Sequence, residues 1–226
     1  LIVAIVGGTN IGKSVIFNHL AGEVASAATP LAAGTKHPVC LAPPGHNDPA
    51  LLGRLFEPFE LQPWRGPDDA VQESASNWLF WRVGRNVPGR LVLVDAPDID
   101  SDVTVNWGRA RAIRQTADVL IAVLTQQKYN DAAVKEFFRE AVASDKPIVV
   151  AFNFCDLVAD REYWPQWLAQ FCGETGARPE LVYLMPYDRE AANQLRLPFY
   201  RVDSMAETGV DSAMAAAPAT CLREEL

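Results

Sequence analysis

The 226-residue sequence lacks a dense run of basic residues. Lysine and arginine together number 20, against 28 aspartates and glutamates, so the formal net charge is −8 at pH 7. A surface of that sign repels phosphate backbones, and nucleic-acid binding requires a basic patch to overcome the repulsion. We therefore expect no direct nucleic-acid contact from this chain.

The sequence also lacks paired cysteines and long apolar runs. Its four cysteines are far apart and form no C-x-x-C pair: Cys40, Cys155, Cys172 and Cys221. This spacing argues against a zinc ribbon or a redox motif and predicts reduced thiols in a cytoplasmic protein. No apolar run approaches the roughly 20 residues of a membrane-spanning helix. Any membrane association is expected to come from regions outside this chain.

Apolar runs alternate with helical patterns along most of the chain. The runs are "LIVAIV", "RLVLVD", "DVLIAVL", "PIVVAFN" and "ELVYLM". Continuous apolar runs of this length are typical of strands buried on both faces of a parallel sheet. The alternation predicts an α/β, doubly wound, mostly parallel sheet flanked by helices. Functional residues of such sheets follow the carboxyl ends of the strands.

Two segments interrupt this alternation. Residues 41–90 contain seven prolines among apolar and aromatic residues, and we interpret them as an ordered insertion with an extra strand at "NWLFWRV". Residues 190–226 are expected to be a loosely ordered tail that leads into a helix from about residue 219. The whole chain, 1–226, is interpreted as a single domain excised from a longer protein.

The first strand runs directly into "GGTNIGKS", which satisfies G-x-x-x-x-G-K-[ST] before a helical pattern. The glycines allow a tight turn whose N–H groups surround a phosphate, Lys13 reaches the β- and γ-phosphates, and the Ser14 hydroxyl binds Mg²⁺. This segment predicts a nucleotide-binding P-loop. The residues expected to contact the nucleotide here are Gly7, Asn10, Ile11, Gly12, Lys13, Ser14 and Val15.

The base-recognition candidate is "NFCD", which follows the apolar run "PIVVAFN". A carboxylate at Asp156 can accept hydrogen bonds from guanine N1–H and N2–H₂, a pair that adenine does not offer. Asn153 belongs to the same N-x-x-D spacing. A helix cap by Asp156 is the alternative interpretation.

With these motifs the chain resembles the P-loop GTPases of the translation-factor-related class, and most closely the Era-like group of 50S ribosome-binding type. "DAPD" at 95–98 resembles D-x-P-G, and "AGTKHPV" resembles the switch I segment. The resemblance implies that Asp95 reaches Mg²⁺ through water and that Thr35 binds Mg²⁺ and closes over the γ-phosphate. Thr29 is the alternative switch threonine. The implied switches are residues 29–40 and 96–107.

Departures from the family pattern fall at both ends of the site. Phe154 stands where N-K-x-D has lysine, and its ring offers a stacking face to the base. Asp98 stands where D-x-P-G has glycine, so it adds a negative charge near the γ-phosphate while its backbone N–H remains available to contact the nucleotide. The family's S-A motif near the base is not evident, because "LVYLMPYD" ends in Pro186 and Tyr187.

The catalytic machinery is also altered. Ile99 follows Asp98 where many of these enzymes carry a water-orienting glutamine, and an aliphatic side chain does not polarise water. The resemblance to hydrophobic-substituted GTPases implies that Asn10 helps bind a K⁺ ion, with Lys13 and Thr35 as the other catalytic residues. Asn10 as a structural loop residue is the alternative.

Nearby titratable residues receive structural interpretations. Asp100 and Asp102 are interpreted as solvated side chains of an acidic segment. His37 is interpreted as structural rather than as a catalytic base.

Taken together, the sequence predicts a Mg²⁺-dependent domain that cycles between GTP and GDP. A slow intrinsic rate would be accelerated by K⁺, by self-association or by a protein partner bound through the switches and residues 41–90. The alternatives are a guanine-nucleotide-binding scaffold with little or no hydrolysis and an ATPase.

Overall fold

A computed structural model describes residues 1–28, 34–46, 48–100, 104–202 and 219–220. Thr29, Asp102, Cys221 and the rest of the tail at 203–218 and 221–226 lie outside the described residues, as do parts of both predicted switches.

The described strands form one ten-stranded sheet in the order β10-β9-β8-β7-β6-β1-β5-β2-β4-β3. Three neighbouring pairs, β2 with β5, β8 with β9 and β9 with β10, are antiparallel, and the others are parallel. The strands are β1 Ile2–Val6, β2 Val39–Ala42, β3 Glu60–Pro63, β4 Trp78–Val83, β5 Val92–Asp95, β6 Val119–Leu124, β7 Ile148–Phe152, β8 Leu181–Leu184, β9 Phe199–Arg201 and β10 Ala219–Thr220.

The helices connect these strands, and both faces of the sheet are covered. They are α1 Lys13–Ala21, α2 Pro49–Leu55, α3 Thr104–Thr116, α4 Ala132–Ala143, α5 Trp164–Thr175 and α6 Arg189–Asn193, with a 3₁₀ turn at Pro67–Val71. The fold confirms the predicted doubly wound, mostly parallel sheet.

The core divides into two clusters because successive side chains of a strand point to opposite faces. In β1, Ala4 and Val6 belong to the cluster that includes Ile113 and Phe138 of α3 and α4. Val3 and Ile5 belong to the other cluster, with Ile16, Phe17 and Leu20 of α1. Burial on both faces explains why the central strands are apolar throughout.

Residues 41–90 extend the sheet beyond the predicted alternation. The extra strand predicted at "NWLFWRV" is β4, which pairs in parallel with β2, and β3 adds the edge strand beyond it. Asp48 caps α2 through a hydrogen bond from the Ala50 N–H at 2.9 Å, and Pro49 occupies the first helical turn. The segment thus carries its own short elements, placed on one edge of the sheet.

The predicted helix does not begin at residue 219, where the structure has a strand instead. Ala219 and Thr220 form β10 and pair with Tyr200 and Phe199 of β9. The edge of β9 offers unpaired backbone groups, which an extended segment satisfies and a helix would not. No helix among the described residues is both long and apolar enough to cross a bilayer.

Candidate functional site

The predicted P-loop connects β1 to α1 in a conformation that requires its glycines. Gly12 precedes α1 with φ 88° and ψ 21°, in the left-handed region that a side chain disfavours. A Cβ atom at Gly7, where φ is 152°, would lie 2.5 Å from the Val123 carbonyl oxygen. The loop therefore keeps its shape only with glycine at these two positions.

Asn153 fixes the loop from the end of β7. Its Nδ2 donates to the Ile11 carbonyl at 2.8 Å, and both residues are buried. A Cβ atom on Gly12 would lie only 2.2 Å from that Nδ2. The structure therefore gives Asn153 a contact with the phosphate-binding loop, and its direct contact with a base stays a prediction.

The three predicted metal-binding side chains lie together at the start of α1. The Ser14 hydroxyl donates to Asp95 Oδ2 at 2.7 Å and lies 3.3 Å from the Thr35 hydroxyl oxygen. Ser26, which sequence analysis missed, also donates to Asp95 Oδ2 at 2.6 Å. Asp95 and Ser26 are 69 positions apart, and no motif includes the serine.

Burial raises the pKa of Asp95 to about 6, although hydrogen bonds from Ser26 and Ser14 and the charge of Lys13 act in the opposite direction. Asp95 Oδ1 is buried and has no hydrogen-bond partner among the described residues. A buried carboxylate oxygen without a partner is unfavourable, and two hydroxyls beside it complete an oxygen-rich donor set. These residues fit a hard divalent cation.

Asp98 lies against the P-loop lysine. Lys13 Nζ donates to the Gly8 carbonyl at 2.6 Å and forms an ion pair with Asp98 Oδ1, and both side chains are buried. The Asp98 N–H donates to the Thr35 carbonyl at 3.3 Å, so it is engaged within the protein. Asp98 has no positive φ, so its backbone does not need the glycine of D-x-P-G.

Asp100 is not solvated, and that interpretation is wrong. Its carboxylate accepts hydrogen bonds from the N–H and the hydroxyl of Thr9 at 2.6 and 2.7 Å and forms an ion pair with Lys128. Only 5% of the Asp100 side chain is exposed. Burial opposes ionisation, yet the bonds from Lys128 and Thr9 together hold the pKa of Asp100 below its ordinary value. Asp100 therefore joins the segment after β5 to the P-loop.

The opposite end of the site is aromatic. Phe154 adopts φ 59°, is 43% exposed, and meets the Tyr187 ring edge-on at a centroid distance of 5.6 Å. Asp156 Oδ1 accepts the N–H groups of Val158 and Ala159 at 3.0 and 2.9 Å, and these bonds lower the pKa of the carboxyl. Asp156 thus caps the turn that follows it, as the alternative interpretation expects, and its contact with guanine stays a prediction.

A cavity of about 510 Å³ joins the two ends. Its lining includes Asn10 to Val15 of the loop, Gly34–Thr35, Asp98, Asn153–Phe154 and the segment from Pro186 to Leu197, but not Asp156. Asn10 is exposed and adopts φ 59°. Ile99 is buried, with its N–H donating to the Gly7 carbonyl at 3.2 Å. Sequence analysis left the segment from Pro186 onward unassigned because it matches no base-contact motif.

The segment after Thr35 is tied to α3 by a buried arginine. Arg109 donates to the carbonyls of Lys36, Ser74 and Ser76 at 2.8, 2.9 and 2.7 Å. His37 beside it is fully buried between Trp78 and Phe80, and burial together with Arg109 lowers its pKa to about 4. A neutral, enclosed imidazole supports the structural interpretation of His37.

Comparison with known proteins gives a family and a fold. The family model described as 50S ribosome-binding GTPase matches residues 2–154, more than half of the chain. No curated protein sequence matches. The result confirms the resemblance drawn from the motifs.

Solved structures with the same fold include Era in complex with MgGDPNP and a 16S ribosomal RNA fragment, at 16% identity and TM-score 0.52, covering 87% of this chain and 56% of that one. An Aquifex aeolicus Era variant bound to GDP and AlF₄⁻ matches at 17% identity and TM-score 0.51, covering 82% and 50%. A bacterial dynamin pair that tethers membranes matches at 11% identity and TM-score 0.53, covering 100% and 37%. The chain thus spans about half the length of the Era chains.

Proposed function

The chain belongs to the family of 50S ribosome-binding GTPases, and from that premise we propose that it binds a guanine nucleotide, hydrolyses GTP to GDP and phosphate with Mg²⁺, and acts as a nucleotide-controlled switch. The observation that carries the proposal is the convergence of Lys13, Ser14 and Thr35 at one end of a cavity of about 510 Å³, with Asp95 behind them accepting a hydrogen bond from Ser14.

The phosphates are assigned to the P-loop end of the cavity. Successive loop N–H groups and the amino end of α1 favour an anion, and Lys13 supplies a full positive charge. Ser14, Thr35 and Asp95 would hold Mg²⁺, for which the partnerless Asp95 Oδ1 and the two adjacent hydroxyls are the supporting observation. When bound, Mg²⁺ neutralises negative charge on the phosphate oxygens.

The base is assigned to the aromatic end. Phe154 offers a stacking face, and Tyr187 lies beside it at the cavity wall. Asp156 is proposed to accept guanine N1–H and N2–H₂ through Oδ2, while Oδ1 accepts the two N–H bonds that cap the next turn. Asn153 positions the loop through Ile11. These assignments favour guanine over adenine because adenine has no matching donor pair.

Hydrolysis is proposed to be slow in the isolated domain. Ile99 is buried and aliphatic, so it orients no water. Asn10, exposed on the cavity lining, is proposed to help bind K⁺, whose positive charge would stabilise the transition state. Self-association or a protein partner at the switches and residues 41–90 would raise the rate further. The Arg109 bonds to Lys36, Ser74 and Ser76 support such coupling.

The test is nucleotide turnover by the purified chain, with GTP and ATP compared in K⁺ and Na⁺ buffers containing Mg²⁺ and products separated by chromatography. GDP should form faster in K⁺, Asn10→Ala should lose the K⁺ stimulation, and Lys13→Ala should lose turnover. Asn86→Ala, at an exposed asparagine outside the cavity lining, is the matched control. A K⁺-stimulated rate that survives Asn10→Ala would remove that residue from the mechanism.

A second candidate is a guanine-nucleotide-binding scaffold with little or no hydrolysis. The buried Lys13–Asp98 ion pair and the aliphatic Ile99 favour it, because both depart from the family's catalytic pattern. GTP that stays intact for hours in K⁺ buffer, while remaining bound, would support this candidate over the enzyme. ATP turnover in preference to GTP would contradict both.

The negative charge of the chain bears on which partner the proposed switch contacts. The RNA in the Era complex belongs to that protein, and the net charge of −8 does not favour direct RNA binding here. We propose a protein partner or a second copy as the switch's target, in the cytoplasm.

A further inference from the structure

The ion pair between Lys13 and Asp98 places a carboxylate on the lysine that the proposed function assigns to phosphate. The two side chains are 3% and 5% exposed. Opposite charges at such burial attract strongly, because little water screens them. The positive charge of Lys13 is therefore balanced within the protein by the Asp98 carboxylate.

The surroundings of Asp98 locate it at the outer-phosphate end of the site. Its N–H donates to the Thr35 carbonyl, and a Cβ atom on Gly34 would lie 1.9 Å from Asp98 Oδ2. The carboxylate is thus enclosed by Lys13 on one side and by residues 34–35 on the other. On the proposed function these are the elements that face the third phosphate.

A γ-phosphate and the Asp98 carboxylate therefore compete for Lys13. Lys128, the lysine that contacts the same segment, is paired with Asp100. Two anions that share a buried lysine repel each other, and the repulsion grows in a low-dielectric site. A nucleoside diphosphate ends one phosphate earlier and leaves the carboxylate in place.

We propose that Asp98 is a specificity-determining residue that selects the diphosphate over the triphosphate, so that GTP binds only by displacing the Asp98 carboxylate from Lys13. The inference rests on the proposed function. It makes displacement of the segment after β5 a condition of GTP binding. Asp100 holds that segment to Thr9, so the movement is centred on residues 98–99.

The test compares the affinities of GDP and of the non-hydrolysable analogue GMPPNP by titration calorimetry with Mg²⁺. Asp98→Asn keeps the size of the side chain and removes its charge, and Asp98→Gly provides an independent second variant. Asp145→Asn is the matched control, because Asp145 is exposed and precedes the amino end of β7, whereas the site lies at the carboxyl ends of the strands. Asparagine also tolerates the positive φ of 51° at that position.

Both Asp98 variants should raise the affinity for GMPPNP relative to GDP by about tenfold or more, because like-charge contacts in a binding site are strongly unfavourable. Asp145→Asn should leave the ratio unchanged. If the Asp98 variants still bind GDP but their ratio of GMPPNP to GDP affinity is unchanged or reversed, the inference is overturned and the proposed function is not. Loss of binding of both nucleotides in both variants would have the same consequence. Wild-type protein that binds neither nucleotide would overturn the proposed function, and the inference with it.

Discussion

Substitutions at Gly12 and Asn153 are expected to be strongly non-additive in their effects on the free energy of unfolding. An alanine Cβ at position 12 would lie 2.2 Å from Asn153 Nδ2, in a backbone with φ 88°. The left-handed conformation alone costs about 1–2 kcal/mol. The new Cβ also pushes the Asn153 amide off the Ile11 carbonyl, which costs a further 1–3 kcal/mol, roughly.

Asn153→Ala alone loses that same hydrogen bond, again at about 1–3 kcal/mol. In the double variant the amide is absent, so Gly12→Ala adds only its conformational cost. The double variant should therefore be more stable than the sum of the single variants predicts, by about 1–3 kcal/mol. The coupling arises because both single variants break one and the same bond.

The assay is guanidinium unfolding of the four proteins, followed by circular dichroism without nucleotide. Gly66→Ala with and without Asn153→Ala is the control pair, because a Cβ on Gly66 meets no atom within 4 Å. The changes in unfolding free energy caused by Gly66→Ala and Asn153→Ala should add to within about 0.5 kcal/mol. Additive behaviour of Gly12 and Asn153 within the same limit would refute the contact between them.

Three further substitutions test the surroundings of the site. Arg109→Ala should cost at least about 2 kcal/mol of unfolding free energy because it deprives three backbone carbonyls of their donor, whereas Arg111→Ala, at an exposed ion pair, should cost less than about 1 kcal/mol. Equal costs by urea unfolding would contradict the role of Arg109. Burial and Arg109 lower the pKa of His37 from its ordinary 6.5 to about 4 in the folded protein, so its contribution to the free energy of unfolding is present above pH 6.5 and is lost as the pH falls towards 4, by up to about 3 kcal/mol. Between pH 6.5 and 4 the free energy of unfolding of the wild type should fall relative to that of His37→Gln. If the two free energies changed in parallel with pH, His37 would not be the source of the pH dependence. Gly108→Ala in α3, where a Cβ meets nothing within 4 Å, should stabilise the protein by about 0.5–1 kcal/mol in thermal unfolding, and a lower melting temperature would contradict the open space there.

The sequence was most informative where the pattern itself encodes a local geometry. "GGTNIGKS" predicts its own loop, because the turn needs positive φ at Gly7 and Gly12, which glycine adopts readily. The helical pattern that follows places Lys13 at the start of α1. The apolar runs predict their strands because burial on both faces excludes polar residues from them. These local patterns account for the P-loop, α1 and the five predicted strands.

Contacts between distant segments were harder to predict. Ser26 reaches Asp95 across 69 positions, and Thr9 reaches Asp100 across 91. No motif includes the serine, and Thr9 stands at a variable position of the P-loop motif, so neither contact could be read from a pattern. Asp100 was misassigned because charges in an acidic segment are usually solvated, and the pairing with Lys128 depends on the chain path after β6. The strand at 219–220 was missed because its partner edge in β9 is a tertiary feature.

The most direct measurement of the central claim is equilibrium binding of GDP and ADP to the purified chain with Mg²⁺, by titration calorimetry. GDP should bind at least about a hundredfold more tightly than ADP, because only guanine offers the donor pair that Asp156 is proposed to accept. Asp156→Asn should reduce that preference. ADP binding as tightly as GDP, or no binding of either, would contradict the assignment of the cavity to a guanine nucleotide.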